Sequence, residues 1–332
     1  MYNNKLIVTI NLLCAKDSFD MRKTALLLLF FLSLTFLLPS CTQSKEDEDA
    51  IHVVTTIFPL YDWTREILGD VEGFSLTLLL DTGTDVHSYQ PSAKDLIDIQ
   101  NADLFLYVGG ESDEWVEEVL TQSAVETNAL ALLPLLEGYR EELTPGMQGH
   151  ADGAMDEHIW LSLVNAALSM EEITKALIDL APEAAEALTK NKNDYLLRLA
   201  ELSDGYQAMM DHAACHTILV ADRFPFRYLA EEWNITYYAA FPGCSAETEA
   251  SFETVASLAD TLAREGLPVI LTTESSDGAL AKTIMQTAGT EVPVMALDSM
   301  QSVTSQKIAD GYTYLSVMDA NLAILQKALG SN

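Results

Sequence analysis

The sequence predicts an α/β protein of two lobes, each a mostly parallel four-stranded sheet flanked by helices, with one long rigid helix joining them. Three observations carry this expectation. Eight short apolar runs fall into two sets of four, separated by segments of helical periodicity. The runs are apolar throughout rather than alternating, as strands buried on both faces are. Between the two sets lies a stretch of about thirty residues with helical spacing and no strand candidate.

The first set is "IHVVTT" from residue 51, "FSLTLLL" from 74, "DLFLYVG" from 103 and "ALALLPL" from 129. Periodic segments lie between them: "PLYDWTREILGD", "SAKDLIDIQNAD" and "SDEWVEEVLTQSA". Ser92 is placed to cap the second of these, with Asp95 three residues on. From Pro182, a residue suited to a first helical turn, to about His212 the chain has no internal Gly or Pro until Gly205. Its apolar residues Leu188, Tyr195, Leu196, Leu199, Leu202, Tyr206, Met209 and Met210 form a helical stripe. Thirty residues at about 1.5 Å each make a rod of about 45 Å, long enough to run the length of a domain. The second set follows as "HTILVAD", "ITYYAAF", "PVILTTE" and "VPVMAL", with "RYLAEEWN" and "ETVASLADTLAREG" between. The expected division is 51–181 for the first lobe, 182–213 for the linking helix and 214–332 for the second lobe.

The N-terminus reads as a targeting segment. From Met21, the expected true start, "MRKTALLLLFFLSLTFLLPSC" carries two cations, an apolar stretch and a small residue before cysteine. "LPSC" resembles a bacterial lipobox, which makes Cys41 the expected lipidation site. The apolar run from Ala25 to Leu38 falls short of the roughly 20 residues that span a bilayer. Residues 1–40 are thus expected to be an upstream segment and signal peptide, and 41–50 a flexible tether.

The chain has 332 residues, 49% hydrophobic and 20% charged, a normal globular balance. Residues 41–332 hold 14 Lys/Arg against 48 Asp/Glu, a formal charge of −34. Such a surface repels nucleic acid and anionic lipid and concentrates cations. Cys215 precedes one expected strand and Cys244 follows another, so parallel pairing would hold them roughly 15–20 Å apart. A bridge needs Cα atoms within about 7 Å, and none is expected.

Open α/β sheets bind ligands beyond the carboxyl ends of their strands. The polar groups expected there are His87, in the turn-rich "DTGTDVHSY"; Asp222 and Arg223, ending "HTILVADR"; Glu274, ending "PVILTTE"; and, in the loop after the fourth run, His150 and His158. Imidazole and carboxylate in one cleft suit a divalent transition metal. Glu274 also suits a helix N-terminus, and Asp222 also suits pairing with Arg223 or Arg227. His212 and His216 are placed to satisfy helix-end carbonyls, His150 to be solvated and His52 to be structural.

Across residues 52–330 the chain resembles the zinc- and manganese-binding lipoproteins of bacterial ABC importers, the cluster A-I substrate-binding proteins. "GTDVHSYQPSAKDLIDIQNADLFLYVG" is similar to the motif whose histidine is their first metal ligand, and "DEHIWLSLVNA" to the one carrying the second. "TTESSDGALAKTI" resembles the segment whose glutamate completes the zinc site. The resemblance therefore implies His87, His158 and Glu274 as ligands, zinc as cargo with manganese the alternative, and an ABC permease and its ATPase as partners. It also implies a monomer outside the cytoplasmic membrane, held there by lipid, with no reaction catalysed. The register departs at "RFPFRYL", where Arg223 occupies the place of a third histidine. A guanidinium has no lone pair to offer a cation. Asp222 is the favoured replacement, with Cys244 and Asp277 further candidates and Arg223 itself placed to pair with a site carboxylate. Two other readings remain at this point: a metal-dependent hydrolase using Glu157 as base, and a surface adhesin with a structural metal.

Overall fold

Each of the eight apolar runs forms a strand, and the two sets of four form two separate parallel sheets. The computed structural model describes residues 50–122, 128–149, 153, 155–245 and 249–331. The segment expected to be a leader, the expected lipidation site Cys41, and His150 lie outside them. In the first lobe β1 (Ile51–Thr55), α1 (Phe58–Leu68), β2 (Phe74–Leu78), α2 (Ala93–Gln100), β3 (Leu104–Tyr107), α3 (Glu114–Gln122) and β4 (Ala129–Ala131) alternate along the chain. Their strands order as β2-β1-β3-β4, with Val53 opposite Leu76 on one side and Leu104 on the other. Ser92 caps α2 as expected: its hydroxyl accepts from the Asp95 amide while the Asp95 carboxylate accepts from the Ser92 amide.

After a loop, α4 (Leu163–Leu180) leads through a 3-10 turn over Pro182–Ala184 into α5 (Ala185–Asp211). The expected stripe supplies the buried face of α5, with Leu188, Tyr195, Leu199, Tyr206 and Met209 all buried. His212 bonds the Ala208 carbonyl at 2.8 Å through Nδ1 at the end of this helix. The second lobe runs β5 (Thr217–Phe224), α6 (Arg227–Glu232), β6 (Thr236–Pro242), α7 (Phe252–Glu265), β7 (Ile270–Thr273), α8 (Ala279–Ala288), β8 (Val294–Leu297), α9 (Ser305–Ala309) and α10 (Tyr314–Leu329). Its sheet repeats the first topology as β6-β5-β7-β8, again parallel throughout. Among the described residues no helix is long and apolar enough to cross a membrane.

One apolar cluster runs through both lobes, and a second, with Leu219, Leu258 and Ile284, lies within the second lobe. Trp63, Trp160, Tyr206, Tyr228 and Tyr314 are the largest fully buried side chains of the first cluster. Trp63 of α1 meets Tyr314 of α10 edge-on, with ring centroids 5.1 Å apart. The last helix therefore returns to the first lobe, and Gly205 permits its approach to α5: a Cβ there would fall 2.9 Å from a Leu322 methyl.

The same junction carries a buried acid. Asp62 of α1 is fully buried, pairs with Arg65 and accepts the Tyr314 amide at 2.8 Å at the start of α10. Burial pushes its carboxyl up to about 6, against the lowering effect of the Tyr314 amide and Arg65. Between pH ~4 and ~6 the folded state thus holds a proton that the unfolded state has shed, so stability falls as pH rises through that window. Asp62→Asn keeps an acceptor for the amide and cannot titrate. The wild type should lose on the order of 3 kcal/mol relative to this variant between pH ~4 and ~6, read by denaturant unfolding at each pH.

Candidate metal centre

The carboxyl ends of both sheets point their loops at one crevice, and two imidazoles meet there. His87 lies in a 3-10 turn, Val86–Ser88, after β2. The Asp85 side chain caps that turn by accepting the His87 amide at 3.0 Å. His158 lies at the start of a second 3-10 turn, Ile159–Leu161, in the loop between β4 and α4. It is fully buried and packs against Trp160, with ring centroids 5.2 Å apart. The two Nε2 atoms stand 3.2 Å apart.

Each ring is held from behind. His158 Nδ1 is 2.8 Å from the Asp156 carboxylate, which only accepts, so Nδ1 carries the proton and Nε2 keeps its lone pair. His87 Nδ1 is 2.7 Å from the Ser112 hydroxyl. The Gln301 amide nitrogen, a donor, lies 2.9 Å from His87 Nε2 and 2.7 Å from His158 Nε2, so both Nε2 atoms accept. Burial first, then the adjacent His158 ring, pushes the His87 imidazole down to about 3, which keeps it neutral at physiological pH.

A third donor comes from the opposite lobe. Cys244 follows β6, and its sulfur, with one nitrogen of each imidazole, completes a set lying within 4.8 Å of one another. Gly243 explains how the loop reaches so close: a Cβ there would lie 2.9 Å from His158 Cε1 and 3.0 Å from the Phe224 carbonyl oxygen. The Cys244 amide donates to Glu141 at 2.9 Å. Burial pushes the thiol up, helped by the nearby acids Asp156, Glu141 and Glu157. Cys215 and Cys244 are both free thiols.

The other residues expected in the site stand outside this donor set, each engaged by other partners. Glu274 follows β7, but its carboxylate accepts the Ser299 amide at 2.9 Å and the Ser299 hydroxyl at 2.8 Å. That hydroxyl is also 3.0 Å from the Gln301 side-chain oxygen, so Glu274 stands behind Gln301 instead of joining the donor set. Asp222 sits where β5 and β6 slip register: Ala221 and Asp222 together face the single residue Ala240. This bulge re-aims the strand end, and the Asp222 carboxylate takes the Thr273 hydroxyl at 2.7 Å and the Arg223 amide at 2.8 Å. Arg223 reaches across to Asp85 at 2.6 Å, tying the lobes together. Burial alone would raise the Asp85 carboxyl, but the hydrogen bond and charge of Arg223 hold it below its usual range. Asp277 caps its own turn through the Ala279 amide. Glu157 accepts the Ser112 amide at 2.7 Å, which commits it to building the His87 support.

An open cleft of about 710 Å³, lined by Asp85, His87, Asp222, Arg223, Ser245 and Asp277 among others, leads from the surface to His87. Two neutral nitrogens with fixed lone pairs, a sulfur and a ring of acids match a borderline-soft divalent cation such as zinc.

Paired parallel sheets, one long connecting helix and an imidazole pair between the lobes define a two-lobed α/β class with a candidate metal centre in its crevice. Over residues 53–328 the chain matches the family described as the zinc-uptake complex component A, periplasmic, and it belongs to that family. It is 30% identical over 314 residues to the zinc-binding lipoprotein AdcA of Streptococcus pneumoniae R6, covering 92% of this chain and 61% of that one. This chain thus spans under two thirds of the streptococcal relative. It is also 30% identical over 317 residues to the high-affinity zinc uptake system protein ZnuA of Bacillus subtilis 168, covering 91% and 97%. The zinc-bound ZnuA-like domain of S. pneumoniae AdcA superposes with a TM-score of 0.69 at 29% identity, covering 84% of this chain and 99% of that domain.

Proposed function

We propose that this protein is the extracytoplasmic zinc-capturing component of an ABC importer, taking up one ion between its lobes and delivering it to a permease driven by its ATPase. The observation that carries this reading is the imidazole pair, one ring half-buried and one fully buried, with Nε2 atoms 3.2 Å apart and both rings braced through Nδ1. Zinc and zinc uptake in the names of the relatives point the same way. The strongly negative surface draws cations toward the cleft beside His87. Metal entering there must displace the Gln301 amide from both lone pairs, which couples binding to the second lobe through Ser299 and Glu274. Lipid at Cys41 holds the protein, a monomer, at the outer face of the cytoplasmic membrane. No turnover belongs to this reading.

Dialysis against zinc followed by elemental analysis tests it. One zinc per chain, retained against a large excess of manganese, is expected, since imidazole donors favour zinc. A protein that binds no zinc, or exchanges it freely for manganese, contradicts the reading.

A further inference from the structure

We propose that Cys244 supplies the third protein ligand to the metal held by His87 and His158, coordinating it as a thiolate. The inference rests on the zinc-capture reading and goes beyond it by naming the donor that sets cargo preference. Three observations support it. The sulfur shares one 4.8 Å neighbourhood with both imidazoles, and among the described residues no carboxylate joins that group. The carboxylates of Asp222 and Glu274 are each engaged by a hydroxyl and an amide, and Arg223 is engaged by Asp85. Gly243 brings the loop against the His158 ring, closer than any side chain would permit, and Cys244 is the next residue.

Binding forms a metal–sulfur bond from a sulfur lone pair and releases the thiol proton to solvent; nothing is oxidised or reduced. A site of two imidazoles and one thiolate leaves a tetrahedral cation one further position, open to water or to a side chain that moves on binding. The sulfur makes the cargo class thiophilic. Zinc and cadmium are favoured, and manganese, which prefers oxygen donors, is excluded.

Cobalt(II) replacing zinc in the purified, processed protein provides the test. A thiolate-to-cobalt charge-transfer band in the near ultraviolet is expected in the wild type and in Cys215→Ser, because the native Cys215 thiol lies instead beside the Thr217 and Ala328 carbonyls. Cys244→Ser should lose the band and bind zinc at least about tenfold more weakly. A second measurement needs no variant: bound zinc should protect Cys244, and not Cys215, from alkylation mapped by mass spectrometry. If cobalt binds and His158→Ala abolishes that binding, yet the wild type shows no charge-transfer band and Cys244 alkylates equally with and without zinc, the thiolate proposal is overturned while zinc capture stands. If neither metal binds the wild type, both fail.

Discussion

Replacing His158 by alanine is expected to remove high-affinity zinc binding, with a loss of at least about a hundredfold, or ~3 kcal/mol. The ring is fully buried, so no solvent-exposed neighbour can take its place. Its Nε2 lone pair is pre-aimed by the Asp156 contact at 2.8 Å, and that preorganisation is lost with it. Removal also leaves Asp156 without its imidazole partner, an acid that would attract a proton or a misplaced cation. His87→Ala should produce a comparable loss, because a single remaining imidazole cannot hold the ion between the lobes. Calorimetric titration with zinc reads both variants, and near-wild-type affinity in both would reject the assignment of these residues as ligands.

The largest stability effect is expected at Trp160. Its ring is buried against His158, its indole N–H donates to the Ser299 carbonyl at 2.8 Å, and its own carbonyl accepts from the Tyr314 hydroxyl at 2.7 Å. One residue thus joins the loop carrying the second imidazole to the second lobe and to α10. Trp160→Ala opens a cavity and strands the Ser299 carbonyl, so metal-free protein should lose about 3–5 kcal/mol. Trp160→Phe keeps most of the volume and loses only the hydrogen bond, so its cost should be smaller. Denaturant unfolding of the three proteins measures this; a loss under ~1 kcal/mol for the alanine variant would show that the lobes do not depend on this tie.

The fold was legible because its strands are buried on both faces. A run such as "HTILVAD" stays apolar without alternation, and that pattern survives whatever the loops do. The long helix was legible from its uninterrupted stripe, although its regular part begins at Ala185, after the turn that Pro182 opens. At the site, the positions at strand ends could be read but the directions of side chains could not. Asp222 stands at the end of β5 as expected, yet one extra residue in the ladder turns its carboxylate to Thr273, and nothing in "VADRF" announces a bulge. Glu274 likewise directly follows β7, but Ser299, distant in sequence, takes both its oxygens. Gln301 carries no signal at all, being an ordinary amide in a loop whose importance comes only from where β8 ends. Asp156, two residues before His158, could have been singled out as an acceptor for a ligating ring.

The most direct test of the central claim is zinc K-edge X-ray absorption on the zinc-loaded protein. Two imidazoles bound through nitrogen at about 2.0–2.1 Å, with the outer-shell scattering of their rings, are the predicted result. A shell of oxygen neighbours without imidazole scattering would mean that His87 and His158 meet in the crevice without holding the ion.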